Sequence, residues 1–62
     1  MTEQLLAIIA AGYTVTLLRW DGGEYIAEAA PDDPSYDSWS AYGETIESAV
    51  RMLHDEVMRS LE

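Results

Sequence analysis

The feature that most constrains the fold is a stripe of apolar residues near the C-terminus, spaced as on one face of an α-helix. The apolar positions recur three, four, seven, eleven and fifteen residues after the first, which is the pattern of a helix with one buried face. The stripe comprises Ile46, Ala49, Val50, Leu53, Val57 and Leu61. Thr45 suits the N-cap and Glu47 the first turn. We therefore predict a helix over residues 45–61, with Arg51, Asp55 and Arg59 forming a charged ladder on its outer face.

A second, shorter helix is predicted at the N-terminus. It spans residues 3–11, in which Leu5, Leu6, Ile8 and Ile9 recur at helical spacing, and the chain then reaches Gly12, which suits the position just past a helix end. Thr2 has a side chain that caps helix N-termini. We expect Thr2 to cap this helix.

The middle of the chain has the composition of strands and turns. Residues 13–20 are nearly all β-branched, aromatic or leucine, and residues 24–30 alternate between two faces, so both segments are predicted strands. Residues 21–23 read Asp-Gly-Gly, which predicts a tight primed hairpin turn between them. Two prolines end the second strand within residues 31–35. Residues 37–42 are a third, shorter predicted strand.

The order of elements predicts an α+β fold of the α-β-β-β-α type. Such a chain forms a three-stranded antiparallel sheet with its helices packed on one face, and residues 1–62 suffice for a single domain. The small Ala27 and Ala29 share a face with Tyr25 and leave room for a helix. A chain this short has a small core, and without cysteine it has no disulfide bond to stabilise it. We therefore expect a homodimer to supply additional stability.

The charge of the chain narrows the classes of partner. It has 12 Asp and Glu against 3 Arg and no Lys, for a net charge of −9, which repels nucleic acid and anionic membranes. A basic protein is the predicted partner. The 48% content of hydrophobic residues argues for a folded chain. An acid at Glu3 and an apolar run too short to cross a bilayer predict a cytoplasmic protein.

No group of residues predicts an enzyme, a cofactor or a metal site. His54 lies at the edge of the apolar stripe without a second histidine or a cysteine, so we interpret it as a packing residue. Asp32, Asp33 and Asp37 lack the ligand spacing of an EF-hand, which favours a solvated turn over a calcium site. No Gly-x-Ser-x-Gly elbow occurs.

Aromatic residues in and beside the strands are the better candidates for a binding role. Trp39 and Tyr42 cannot both point inward if the third strand alternates, so at least one is expected to be exposed. Exposed Trp and Tyr are typical of protein interfaces. The predicted partner-binding residues are Trp39, Tyr42, Tyr36, Glu24, Glu28, Asp32, Asp33 and Met52.

Four segments of the chain resemble the HicB-like antitoxin domain. They are the strand 13–17, the hairpin 22–27, the Pro-Asp-Asp-Pro loop 31–34 and the helix start 41–49. The similarity spans about residues 13–57. The family typically has a Tyr-bearing first strand, a Gly-Gly-x-Tyr hairpin and a Pro-Asp-x-Pro-Gly loop. This resemblance implies a protein that binds and blocks a small basic RNase toxin, often as an oligomer.

Two departures from the family pattern have consequences. Ser35 stands where the family loop usually has Gly, and a helix precedes the first strand. The resulting element order is also that of the double-stranded-RNA-binding domain, but Glu44 and Glu47 stand where such domains carry lysines, which contradicts RNA binding. Many HicB-like proteins add a DNA-binding module, and because the sequence stops at Glu62 we expect only the protein-binding function here.

The alternative is an acidic decoy, from a phage or mobile element, that imitates nucleic acid and inhibits a nucleic-acid enzyme. Such a decoy requires carboxylates in rows at roughly phosphate spacing. The residues that would form these rows are Glu24, Glu28, Asp32, Asp33 and Glu44.

Overall fold

The computed structural model describes residues 1–61 and has the predicted α-β-β-β-α order. Its elements are α1 (Thr2–Ala10), β1 (Tyr13–Arg19), β2 (Tyr25–Pro31), β3 (Trp39–Gly43) and α2 (Ile46–Ser60). The predicted fold class is confirmed. The largest error in a boundary is at β3, which begins at Trp39 rather than at residue 37.

The three strands form an open antiparallel sheet in the order β1-β2-β3. The register places Leu17 of β1 beside Ala27 of β2, and Ala27 beside Ala41 of β3. Side chains alternate between the two faces along each strand, so residues with odd numbers share one face and those with even numbers share the other. The β1 and β3 strands are the two edges of the sheet.

Both helices pack on the odd-numbered face, as predicted, and we call this the covered face. The buried core combines strand residues of that face with residues of both helices. Its members are Ile8, Tyr13, Ala27, Ala29, Ala41, Ala49, Val50, Leu53 and Val57. The alanine side chains of β2 and β3 are small, which lets α2 lie close to the sheet. Within residues 1–61 no helix packs on the even-numbered face, which we call the uncovered face.

The predicted helix ends are correct at two positions and wrong at another. The Thr45 side chain accepts a hydrogen bond from the backbone N–H of Ser48 at 3.0 Å, which confirms the N-cap of α2. Gly12 has a φ of +97°, the left-handed conformation expected just past α1. The cap predicted at Thr2 is wrong, because Thr2 is already helical and Met1 is the N-cap, with no side-chain hydrogen bond.

The hairpin between β1 and β2 differs from the predicted primed turn. A type I′ turn needs a positive φ at both central residues, but of the two adjacent glycines only Gly23 has one, at +87°. The N–H of Gly23 donates to the carbonyl of Trp20 at 3.0 Å, and the N–H of Trp20 donates to the carbonyl of Glu24 at 2.7 Å. The connection is therefore a three-residue loop closed by a bulge at Gly23.

The outer face of α2 also differs in detail from the prediction. Arg51 pairs with Glu47 at 3.2 Å and Arg59 pairs with Glu56 at 3.6 Å. Neither arginine pairs with Asp55, as the predicted ladder requires. All these side chains are exposed or nearly so, and pairs of this kind contribute little to stability. The predicted stripe is buried in its centre only, since Ile46 and Leu61 at its two ends are exposed. Within residues 1–61, neither helix has the length and hydropathy that a membrane-spanning segment requires.

Candidate protein-interaction surface

A row of apolar side chains crosses the uncovered face of the sheet. The strand register places Leu18 beside Ile26 and Ile26 beside Tyr42, with one residue from each strand. Side chains paired in this way have Cβ atoms about 4.5–5.5 Å apart. Ile26 is only 4% exposed although neither α1 nor α2 packs on this face, and the register puts Leu18 and Tyr42 on its two sides. The row therefore forms a small apolar cluster outside the main core.

Trp20 extends this cluster toward the hairpin. The hydrogen bond from Trp20 N to Glu24 O continues the ladder of β1 and β2 by one more pair. Trp20 lies two residues beyond Leu18 and so projects on the same face. It is 60% exposed, and Tyr42 is 53% exposed. We call Leu18, Trp20, Ile26 and Tyr42 the sheet-face patch.

Two carboxylates adjoin the sheet-face patch. Glu24 and Glu28 lie two residues before and after Ile26, so their side chains project on the same face, and both are exposed. Arg19 alternates to the covered face, and the other two arginines lie on α2. The formal charges that the strands and the adjoining Glu24 present on the uncovered face are thus negative. An aromatic and aliphatic patch with an acidic surround suits a basic protein surface with an apolar centre.

The structure divides the predicted partner-binding residues among separate places. Tyr42, Glu24 and Glu28 lie together on the uncovered face, in or beside the sheet-face patch. Trp39 lies on the covered face opposite Ala29, where it is half-buried against the core, so it is not part of this surface. Met52 is exposed on α2, on the other side of the molecule.

The remaining predicted residues lie at the end of the sheet away from the hairpin. Tyr36, Asp32 and Asp33 belong to the loop that joins β2 to β3, and all are exposed. They line a shallow groove of about 190 Å³ together with residues that start β1. The N–H of Asp32 donates to the carbonyl of Gly12 at 2.9 Å, which ties the loop to that end of β1.

Asp33 has a local structural role in this loop. Its carboxylate accepts a hydrogen bond from the backbone N–H of Ser35 at 2.9 Å, and the backbone N–H of Tyr36 donates to the Asp33 carbonyl at 3.1 Å. Hydrogen bonds from the backbone and hydroxyl of Ser35 lower the pKa of Asp33 below its ordinary value. This is the pattern of an Asx turn, in which the carboxylate organises its own loop.

Within residues 1–61, no group of three or more His, Asp or Glu side chains is placed to hold a metal ion. The Nδ1 atom of His54 lies 3.5 Å from the Asp55 carboxylate, its neighbour in sequence, on a half-buried part of α2.

Leu18, Trp20 and Ile26 are the residues of the patch that the sequence prediction missed. The sequence predicts that they lie in or beside strands, but composition alone does not pair one strand with the other. The signal was nevertheless present in the hairpin: once its loop is three residues long, Trp20 faces Glu24 and Leu18 faces Ile26. Loop length sets the register, and the register decides which side chains meet.

Comparisons of the chain with protein-family models, with curated proteins and with solved structures gave no match.

Proposed function

We propose that this chain is a small non-enzymatic binding module that captures a basic protein on its uncovered sheet face. The observation that carries the proposal is the exposure of Trp20 and Tyr42 on the same face as the buried Ile26, with Glu24 and Glu28 beside them. Exposed aromatics that can be fully desolvated supply most of the affinity at protein interfaces. The carboxylates would accelerate association and select the partner by charge.

The resemblance to HicB-like antitoxins suggests the class of partner. A small RNase toxin is basic because it binds RNA, and its basic surface is complementary to a chain of net charge −9. In this proposal the module masks that surface in the cytoplasm, where toxin and antitoxin meet. Trp20 and Tyr42 take the central contacts, and Trp39 acts only by supporting the sheet from behind.

The test is capture from an extract of the source organism with single variants of the patch. Trp20→Ala and Tyr42→Ala should each remove the same basic protein from the captured fraction, identified by mass spectrometry, because each variant deletes a central contact. Tyr36→Ala is the matched control, since Tyr36 is an equally exposed aromatic outside the patch. Loss of the partner with Tyr36→Ala, but with neither patch variant, would contradict the proposal.

Charge effects provide the second half of the test, with the captured protein purified. Glu24→Gln combined with Glu28→Gln should lower the association rate, and added salt should lower the rate of the wild type. Glu3→Gln, which removes a charge on α1, should have a smaller effect. An acidic decoy predicts a different result: inhibition would decline gradually with each carboxylate removed and would be insensitive to Trp20→Ala. Glu24 and Glu28 are roughly 13 Å apart along β2 with Ile26 between them, which is not a continuous row of charge.

A further inference from the structure

The outer edge of β1 carries backbone groups that have no partner in the described part of the chain. Trp20 N donates to Glu24 O, and Asp32 N donates to Gly12 O, so the even-numbered residues of this ladder bond to β2 and its flanks. The odd-numbered residues therefore point their N–H and C=O groups away from β2. Among residues 1–61, none of the backbone hydrogen bonds outside the helices and strands involves residues 13, 15, 17 or 19.

This edge lacks the features by which proteins usually protect an edge strand. Natural edges are short, or carry proline, inward charges, lysine or a bulge. The β1 strand has seven residues against five in β3, no proline, no carboxylate, and a single charged residue, Arg19, at its end. Its odd-numbered positions are thus a ready template for another strand.

The distribution of charge indicates which molecule supplies the strand that pairs with the edge of β1. Residues 4–20 contain no Asp or Glu, although the whole chain has 12. This acid-free segment includes most of α1 and all of β1. Two molecules of net charge −9 repel each other least where they approach along this side. A basic partner would instead be drawn to the acidic uncovered face, so the edge favours a second copy of the chain.

Apolar side chains of this acid-free segment are exposed in the single chain. Leu17 is 43% exposed although it belongs to the covered face, and Leu6 and Ile9 on α1 are also exposed. Leu17 projects from the edge strand beyond the part of the covered face that the helices bury. A neighbouring strand on this edge would cover it.

We propose that a second copy of this chain pairs antiparallel with β1, centred on Thr16, and joins the two three-stranded sheets into one. In this register Val15 faces Leu17 of the second copy, and Tyr13 faces Arg19 of the second copy. Every outward N–H and C=O of β1 then has a partner, and no two like charges face each other. The pairing goes beyond the proposed function, because it uses the edge of the sheet and leaves the sheet-face patch free on both copies.

Cysteine scanning tests the register directly, since the chain has no cysteine of its own. Thr16 faces Thr16 of the second copy with Cα atoms about 4.5 Å apart, within the range of a disulfide. Thr14 is the matched control: it is exposed on the same face of β1, but in this register it lies roughly 13 Å from Thr14 of the second copy. Under mild oxidation Thr16→Cys should form a covalent dimer rapidly and Thr14→Cys should not. Equal rates, or faster coupling of Thr14→Cys, would overturn the proposal.

Sedimentation over a hundredfold range of concentration tests the assembly itself. The wild type should be dimeric, and Leu17→Pro should be monomeric, because proline removes an N–H that points out of the sheet and leaves the β1–β2 ladder intact. Ser40→Pro makes the same change at the outer edge of β3 and should stay dimeric. If the proline variant does not fold, Leu17→Lys takes its place. Circular dichroism checks that this variant is folded, and it should also be monomeric. A monomeric wild type, or dissociation by Ser40→Pro alone, would rule the β1 edge out.

Discussion

The absence of a single side chain, at Gly43, sets how closely α2 approaches the sheet. A Cβ atom built on Gly43 would lie 2.6 Å from the backbone nitrogen of Ala49 and 3.0 Å from Ser48 Cβ. These distances are shorter than van der Waals contact, and the nearest atom is helix backbone, which cannot move without moving α2. Gly43 ends β3 just before the N-cap of that helix.

Gly43→Ala should therefore destabilise the fold by about 1–3 kcal/mol, because the added methyl group must push α2 away from the sheet. Urea unfolding at a fixed protein concentration measures the change. Gly22→Ala is the control, since a Cβ at Gly22 meets no atom within 4 Å and its φ is not positive. It should leave the free energy of unfolding within about 1 kcal/mol of the wild type. Equal losses at the two glycines would show that the close approach is unimportant.

Ile26 shows that position on a strand does not decide burial by itself. The alternation of β2 correctly predicted that Ile26 shares a face with Glu24 and Glu28, both of which are exposed. Ile26 is nonetheless buried, because its cross-strand neighbours Leu18 and Tyr42 are large. These neighbours are distant in sequence and are known only once the strands are paired.

At the scale of elements, α2 is the helix whose structure is most completely explained by its own sequence. Its N-cap, its first-turn acid Glu47 and its buried central stripe all follow local rules. By contrast, α1 begins at Thr2 without a side-chain cap and exposes Leu6 and Ile9. A helix of nine residues with so little capping depends on its contacts with β1 and α2.

Thr45→Ala should destabilise the protein by about 1 kcal/mol, because it leaves the Ser48 N–H at the start of α2 without its side-chain acceptor. Thermal or urea unfolding measures the loss. Thr2→Ala is the matched control: the same change at the start of α1 removes no cap and should stay within about 0.5 kcal/mol of the wild type. A larger loss at Thr2 than at Thr45 would contradict the assignment of the caps.

At the scale of the whole molecule, the net charge of −9 is spread over a small chain. The compact fold holds these charges within a radius of gyration of 10.9 Å, about the Debye length at 0.1 M salt. Three arginines balance only three of the 12 carboxylates, and two of these arginines form exposed ion pairs along α2. Repulsion among the carboxylates therefore opposes folding.

Sodium chloride should raise the free energy of unfolding, because screening relieves this repulsion more in the folded chain than in the expanded one. The measurement is the urea midpoint of the monomeric Leu17→Lys variant at low and at physiological ionic strength, because salt would also change the association of a dimer. A variant carrying Asp21→Asn and Asp37→Asn, both at exposed positions in loops, should respond less to salt. A stability that falls with salt would mean that attractive pairs dominate instead.

Local signals predicted the elements but did not predict the proposed binding surface. The stripe of α2, the alternation of β2 and the turn residues around Gly12 and Gly23 depend on near neighbours, and the predicted fold class followed from them. Local signals did not predict which of Trp39 and Tyr42 is the exposed aromatic. Alternation places the two side chains on opposite faces of the sheet but does not say which face the helices cover. The structure assigns Trp39 to the covered face and Tyr42 to the uncovered one.

By itself the sequence determined the α-β-β-β-α order, the apolar face of α2 and the acidic character of the protein, since helical period, strand period and charge are properties of neighbouring residues and of composition. Only the tertiary structure decided that Leu18, Trp20, Ile26 and Tyr42 form one patch and that the edge of β1 has no partner within residues 1–61. Both outcomes depend on strand register and on which face the helices cover. A one-residue change in a hairpin loop alters them without changing the composition of any strand.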